Sequence, residues 1–226
     1  MNSIQFKQTA SINNQANMSQ DQVKLSKLLS YTLRHGAAEM NLRMKSNGYV
    51  SVDDILNHKK FRGYTFSMLQ SVVQNNDKKR FEIAETDGQL FIRATQGHTI
   101  KTISDDELLQ EITDPEEIPI CIHGTYKNCI GSIMKTGLNK MSRNHIHMAT
   151  DVPNGEHVIS GARTNVQILI YIDVPKAMNA GIRFFRSNNG VILSPGLADG
   201  SIPSEYFSKV YDRTRSRNIF VVDFQK

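Results

Sequence analysis

The sequence predicts an α+β protein built as two lobes. Three observations carry this. Apolar residues recur at helical spacing from Val23 to Val73, and the period then drops to two between Arg80 and Ala94. The second half is a series of short apolar runs with almost no room for long crossover helices, which biases its sheet toward antiparallel pairing. Charge divides the chain at the same place: residues 21–100 carry +4 and residues 120–226 carry +6, while residues 101–119 between them carry −6. A length of 226 residues suits one large domain or two small ones.

Residues 1–18 are rich in Gln, Asn and Ser and are expected to be a disordered tail. Ser19 with Gln22 makes a capping box, and Val23, Leu25, Leu28, Leu29, Thr32 and Leu33 form a helical stripe. Gly36 is the natural residue just past such a helix, which should end at Arg34-His35. Asn47-Gly48 signals a turn, Ser51 caps a short helix through Leu56, and Thr65 caps a third helix carrying Met68, Leu69, Val72 and Val73. Arg80–Glu85 and Leu90–Ala94 alternate on either side of Asp87-Gly88, a hairpin turn. Three short helices followed by a β-hairpin is a winged-helix arrangement, expected over residues 19–100.

Residues 101–117 read as an acidic linker holding a short helix. The second lobe, 118–226, should carry strands at 118–123, 145–149, 166–174, 182–186, 190–194, 207–212 and 218–224. A helix near 126–136 presents Ile130, Ile133 and Met134 on one face and closes at Gly137, and Asn189-Gly190 marks a turn.

Composition excludes several classes. No apolar run approaches the ~18 residues of a membrane span. No secretory signal opens the chain, and Cys121 and Cys129 make neither a disulfide framework nor a zinc ribbon. The expectation is a monomer, cytoplasmic and/or nuclear, with no membrane partner. Glycine-rich phosphate loops and the serine nucleophile elbow are missing. Two basic blocks fit a polyanionic partner or a solvated surface.

Five constellations hold the side chains with chemistry. Arg34-His35-Gly36 is either a cationic helix end or a phosphate clamp. Arg80, closing Asn76-Asp77-Lys78-Lys79, is either part of a solvated turn or a phosphate-facing group at the base of the hairpin. His123-Gly124-Thr125 is a strand-to-helix turn capped by Thr125, or a place where a ligand approaches the backbone. Arg143-Asn144-His145-Ile146-His147 puts two histidines on one strand face, yet no carboxylate or thiol accompanies them at metal-ligand spacing, so no metal is expected. Phe184 to Leu193 is hairpin chemistry before a buried strand.

In order, LSKLLSYTLRHG, SNGYV, NDKKRF, IRATQGH, HGT, MSRNHIH, ISGAR and FFRSNNGVIL resemble the tRNA 2′-phosphotransferase family from about Leu25 to Tyr211. Each motif alone is weak, and eight in order are specific. The resemblance implies an RNA-binding winged-helix lobe and an ADP-ribosyltransferase-like lobe that binds NAD⁺, with no metal. It implies an enzyme acting on tRNA or other RNA bearing a 2′-phosphate. The 2′-phosphate attacks C1″ of the nicotinamide ribose and expels nicotinamide. In the resulting 2′-phospho-ADP-ribosyl RNA, O2″ attacks phosphorus and releases ADP-ribose 1″,2″-cyclic phosphate. The family's essential residues fall on Arg34, His35, Arg80 and Arg143, and its NAD⁺ contacts on His123, Gly124, Thr125, His147 and Val191. Arg34 and Arg80 should also hold the RNA, with Arg93 as a further RNA-side candidate. Met148 and Ala149-Thr150-Asp151 depart from the family pattern at the expected NAD⁺ pocket wall. Two other readings stay open: an ADP-ribosyltransferase that caps terminal phosphates of RNA or DNA, and a non-catalytic RNA-binding protein.

Overall fold

The computed structural model describes residues 19–151 and 165–221. The expected tail at 1–18, the ISGAR motif at 159–163 and the end of the last predicted strand, 222–224, lie outside them.

The first half follows its local signals. Helix α1 spans Gln20–Tyr31, and its capping box is complete: Ser19 Oγ accepts from the Gln22 amide, and Gln22 Oε1 accepts from the Ser19 amide. Strand β1 is Val50–Ser51, and Ser51 caps helix α2, Val52–Asn57. Thr65 caps helix α3, Phe66–Gln74. Strands β2, Phe81–Thr86, and β3, Gln89–Ala94, pair antiparallel around Asp87 and Gly88, both left-handed at φ 52° and 73°. Strand β1 adds to β3, giving the order β1-β3-β2. Leu25, Leu29, Leu33, Ile55, Leu69 and Ile92 are buried together under this sheet.

One local expectation fails. Gly36 does not terminate a helix in the left-handed region. Beyond Tyr31 the chain widens into a π-helical turn, Thr32–Gly36, and Ala37 continues at φ −58°. The Tyr31 ring lies over Gly36, where a side chain would overlap it. The glycine is therefore needed for close approach rather than for its backbone angle.

The acidic stretch is structured. It holds helix α4, Asp105–Leu108, as expected, and then strand β4, Gln110–Ile112, which its charge conceals. Strand β5, Ile122–Thr125, starts later than expected, because a 3-10 turn at Pro115–Glu117 and the residues up to Cys121 precede it. Helix α5, Lys127–Thr136, ends at Gly137 with φ 78°. Strands β6, Leu138–Asn139, and β7, Ile146–Met148, follow. Strand β8, Ile168–Ile172, stops short of 174 because Asp173 caps helix α6, Val174–Asn179, with Pro175 in its first turn. Strands β9, Phe184–Arg186, β10, Ile192–Ser194, β11, Ser201–Ile202, β12, Phe207–Asp212, and β13, Arg217–Val221, complete the half.

These strands form two four-stranded sheets, β4-β9-β10-β7 and β13-β12-β8-β5, and a two-stranded pair, β11-β6. Every pairing is antiparallel, as the missing crossover helices predicted. Ile122 and Ala149 exchange both backbone hydrogen bonds at 2.8 Å and join the edges of the four-stranded sheets. Met148, Ile170, Phe184, Ile192 and Phe207 are buried in one core cluster of this half. Ile103, Leu108 and Leu109 of the acidic stretch pack with Phe185, Val191 and Leu193, so this stretch is fastened by apolar burial despite its charge. Both thiols are free. Among the described residues no helix is long and apolar enough to cross a membrane.

Candidate active site between the halves

Arg34 and His35 sit in the π-helical turn after α1. The segment Thr95–Thr99 lies against them. Gly97, at φ 89°, packs on the Arg34 guanidinium, and the Thr99 amide donates to the Arg34 carbonyl at 3.0 Å. Arg34 Nε is buried with no hydrogen-bond partner among the described residues. Burial, then the charges of Arg80 and Arg143, hold the Arg34 pKa down to about 10. Residues 34, 80 and 143, distant in sequence, are thus electrostatic neighbours. None of the three forms an ion pair among the described residues. Like charges gathered without a paired carboxylate repel one another unless an anion lies among them. The arrangement suits a multiply charged anion.

His35 Nδ1 lies 3.0 Å from Thr99 Oγ1, which is also 3.4 Å from the Arg34 carbonyl. That carbonyl only accepts, so the consistent network has the threonine hydroxyl donating to it and His35 Nδ1–H donating to the hydroxyl. Nε2 then keeps its lone pair. Burial, followed by Arg34 and Arg143, lowers the His35 pKa and favours this neutral form.

Arg80 is held by its own loop. Asn76 Oδ1 accepts from the Arg80 amide and from Nη1, both at 3.3 Å. The Thr95 amide donates to the Arg80 carbonyl at 3.0 Å. From the second half, Asn189 Nδ2 donates to the Lys78 carbonyl at 2.8 Å, and Asn188 Nδ2 to Glu82 Oε2 at 2.8 Å. Arg143 follows a tight turn in which Met141 has φ 56°. Its neighbour Asn144 staples that turn to the first half: its amide donates to the His98 carbonyl and its Nδ2 to the Ile100 carbonyl, both at 2.9 Å.

The second predicted group lies where β5 and β7 meet. His123 Nδ1 is 2.9 Å from the His147 carbonyl, which can only accept, so Nδ1 carries a proton and donates to it. His147 Nε2 is buried without a hydrogen-bond partner among the described residues. Burial first, then Arg143, His145 and Arg34, push the His147 pKa down to about 3. The two groups are therefore close in space. Gly124 packs under Val166, whose methyl carbons would lie 3.0 Å from an added Cβ. Thr125 is buried within β5, and the residue preceding α5 is Tyr126. Val191 is fully buried, its amide donating to Ser187 Oγ at 3.1 Å.

His145 points elsewhere than His147. Its Nε2 meets Asp105 Oδ2 at 2.9 Å and its ring packs edge-on to Phe185. Among the described residues no group of three His, Cys, Asp or Glu is arranged to hold a metal. Arg93 turns inward. Nε and Nη2 both donate to Glu82 at 3.1 Å, Nη1 donates to the Asn47 carbonyl at 3.1 Å, and the guanidinium lies 4.5 Å from the Tyr49 ring centre. Sequence reasoning did not single out Thr99, and it read Asn144 only as part of a motif and Asn189 only as a turn residue, because the partners of all three are distant in the chain. Gln96-Gly97-His98 belongs to the IRATQGH motif of the family resemblance, and Gly97 packs against Arg34.

The family model of the RNA 2′-phosphotransferase, Tpt1 / KptA family matches residues 20–196. The tRNA 2′-phosphotransferase 1 of Danio rerio is 45% identical over 190 residues, 83% of this chain and 84% of that protein. The protein of the same name from Bos taurus is 42% identical over 191 residues, 83% of this chain and 74% of its own. The tRNA 2′-phosphotransferase of Saccharomyces cerevisiae is 38% identical over 195 residues, 83% of each chain.

Proposed function

Because the chain belongs to the RNA 2′-phosphotransferase family, we propose that it removes the internal 2′-phosphate from spliced tRNA and passes it to NAD⁺, releasing nicotinamide and ADP-ribose 1″,2″-cyclic phosphate. The observation that carries this reading is the convergence of Arg34, Arg80 and Arg143, without ion-pair partners among the described residues, beside a histidine whose charged form is disfavoured.

A phosphate monoester is a dianion, and a dinucleotide brings a pyrophosphate beside it. Guanidiniums meet such groups with two parallel donors each and stay charged in a partly dry cleft. Arg34 offers a buried Nε whose donor is unused among the described residues, and Arg80 and Arg143 approach from separate segments. Together they hold the RNA 2′-phosphate and neutralise the charge that builds on its oxygens when phosphorus is attacked. His35, protonated on Nδ1, presents Nε2 as an acceptor for the proton released in that step.

The second group suits NAD⁺ by its donors. His147 has a buried ring nitrogen without a partner among the described residues, a match for a ribose hydroxyl, and His123 stands beside it with Nδ1 held by the His147 carbonyl. Gly124, Thr125 and Val191 complete the expected wall. When bound, NAD⁺ supplies an anomeric carbon with nicotinamide as leaving group and a neighbouring hydroxyl. The protein's part is to align the 2′-phosphate with both. The winged-helix lobe at 19–100 and the ADP-ribosyltransferase-like lobe at 118–226 belong to this reading.

Mass spectrometry tests it on a metal-free mixture of the protein, NAD⁺ and a short RNA with one internal 2′-phosphate. Loss of phosphate with nicotinamide and the cyclic product supports it. An RNA that gains ADP-ribose and keeps it identifies a phosphate-capping transferase instead. Unchanged but bound RNA identifies a binding protein.

A further inference from the structure

The clamp accounts for the 2′-phosphate, but an RNA also brings the phosphodiesters on either side of it. A groove of about 390 Å³ runs along α1 and ends at Arg80, lined by Val23, Ser26, Lys27 and Ser30 besides that arginine. Positions 23, 26, 27 and 30 share one face of the helix, and Arg80 of the clamp closes the groove. The lining holds two cations and no carboxylate. Four other cavities each include at least one acid: Asp77, Glu116, Asp54 and Asp105. Lys27 is exposed and forms no ion pair among the described residues, whereas Lys24, three residues earlier, is held by Asp21 at 3.2 Å.

We infer that this groove binds the phosphodiester backbone of the RNA next to the 2′-phosphorylated nucleotide, with Lys27 as its cationic contact. The inference rests on the RNA substrate proposed above. At 1.5 Å per residue, Lys27 lies roughly 6 Å along the axis from Tyr31, the last residue of α1, and Arg34 follows in the next turn, a span suited to a neighbouring nucleotide. Ser26 and Ser30 donate hydroxyl hydrogens to phosphate oxygens, and Val23 gives an apolar patch for a sugar face. Lys27 adds charge without base readout, so it contributes affinity for flanking RNA of any sequence.

The test compares two substrates, a nucleoside 2′-phosphate, which has no phosphodiester, and a hexanucleotide with the 2′-phosphate at an internal position. The quantity read is the ratio of kcat/KM for the hexanucleotide to that for the nucleoside 2′-phosphate. Lys27→Gln lowers this ratio roughly fivefold and flattens the salt dependence for the hexanucleotide by about one phosphate contact, a slope change of ~0.7 on logarithmic axes. Ser26→Ala combined with Ser30→Ala lowers the ratio in the same direction. Lys24→Gln, which removes a charge outside the groove, leaves it unchanged. A wild-type ratio near one, or a Lys27→Gln loss equal on both substrates, overturns the inference. If the wild-type protein turns over neither substrate, the transferase reading falls separately. Fluorescence anisotropy with the same hexanucleotide then decides the groove: weaker binding by Lys27→Gln supports it and equal binding overturns it.

Discussion

The side-chain amide of Asn189 donates to the backbone carbonyl of Lys78 across 2.8 Å, joining residues 111 apart in sequence. Asn189 is 4% exposed, and its own oxygen accepts from the Ser187 hydroxyl at 2.7 Å. The turn that carries Val191 therefore grips the loop that carries Arg80. Its neighbour Asn188 grips Glu82 on the other side of that arginine. Arg80 is placed by both halves of the molecule.

Asn189→Ala should lower kcat at least tenfold, since small displacements of Arg80, the group proposed to bind the reacting phosphate, are costly. If the asparagine acts through Arg80, its loss should matter little once that group is altered. In an Arg80→Lys background the further cost of Asn189→Ala is expected to be below about twofold. Equal costs in both backgrounds would reduce Asn189 to a general structural support.

Arg143→Ala removes one member of the proposed clamp from an exposed turn. The expected loss is on the order of 10²–10³ in kcat/KM, with unfolding free energy changed by less than about 0.5 kcal/mol. Parallel kinetics and denaturant titration check both parts, and near-normal turnover would remove the clamp argument.

His35→Ala should affect the second chemical step more than the first, because its proposed task is proton acceptance there. With excess NAD⁺, RNA carrying ADP-ribose on its 2′-phosphate is expected to accumulate in this variant. Gel shift and mass spectrometry read it directly. Slow turnover without such a species would place His35 in the first step.

His98 is 2% exposed, its Nε2 lacks a hydrogen-bond partner among the described residues, and its pKa is pushed down to about 3 by burial, then by Arg34 and other nearby charges. A folded pKa below the unfolded value near 6.5 means that the unfolded chain binds the extra proton between these values. Stability attributable to His98 is then complete above about pH 6.5 and declines as pH falls toward 3, by at most about 1.4 kcal/mol per pH unit. Urea titrations between pH 4 and 7 should show a shallower pH dependence in His98→Asn than in the wild-type protein. Identical slopes would refute the buried neutral imidazole.

Gly36→Ala should destabilise the turn that carries Arg34 and His35. The new methyl overlaps the Tyr31 ring, whose hydroxyl donates to Glu39 at 2.6 Å. Overpacking of this kind costs about 1–3 kcal/mol. Thermal denaturation checks it, and Tyr31→Ala in the same chain should recover part of the loss by emptying the space.

The sequence by itself determined the elements whose causes are local. Ser19, Ser51 and Thr65 cap the helices that follow them because a side-chain oxygen meets an amide within the same turn. Asp87-Gly88 makes its hairpin because both residues tolerate positive φ. The ordered motifs also sufficed to mark the family and to name Arg34, Arg80 and Arg143 as candidates. Where those residues meet was decided only by tertiary structure. Arg34, Arg80 and Arg143 become neighbours through contacts such as Asn144 to Ile100 and Asn189 to Lys78, and a side-chain donor carries no local mark of a carbonyl a hundred residues away. The same reason hid β4, whose acidic residues look solvated until β9 pairs with it, and left the inward task of Arg93 invisible until Glu82, Asn47 and Tyr49 surrounded it. Gly36 shows the boundary most sharply: its neighbours predicted a helix end, and an aromatic ring packed over it needed the glycine for space.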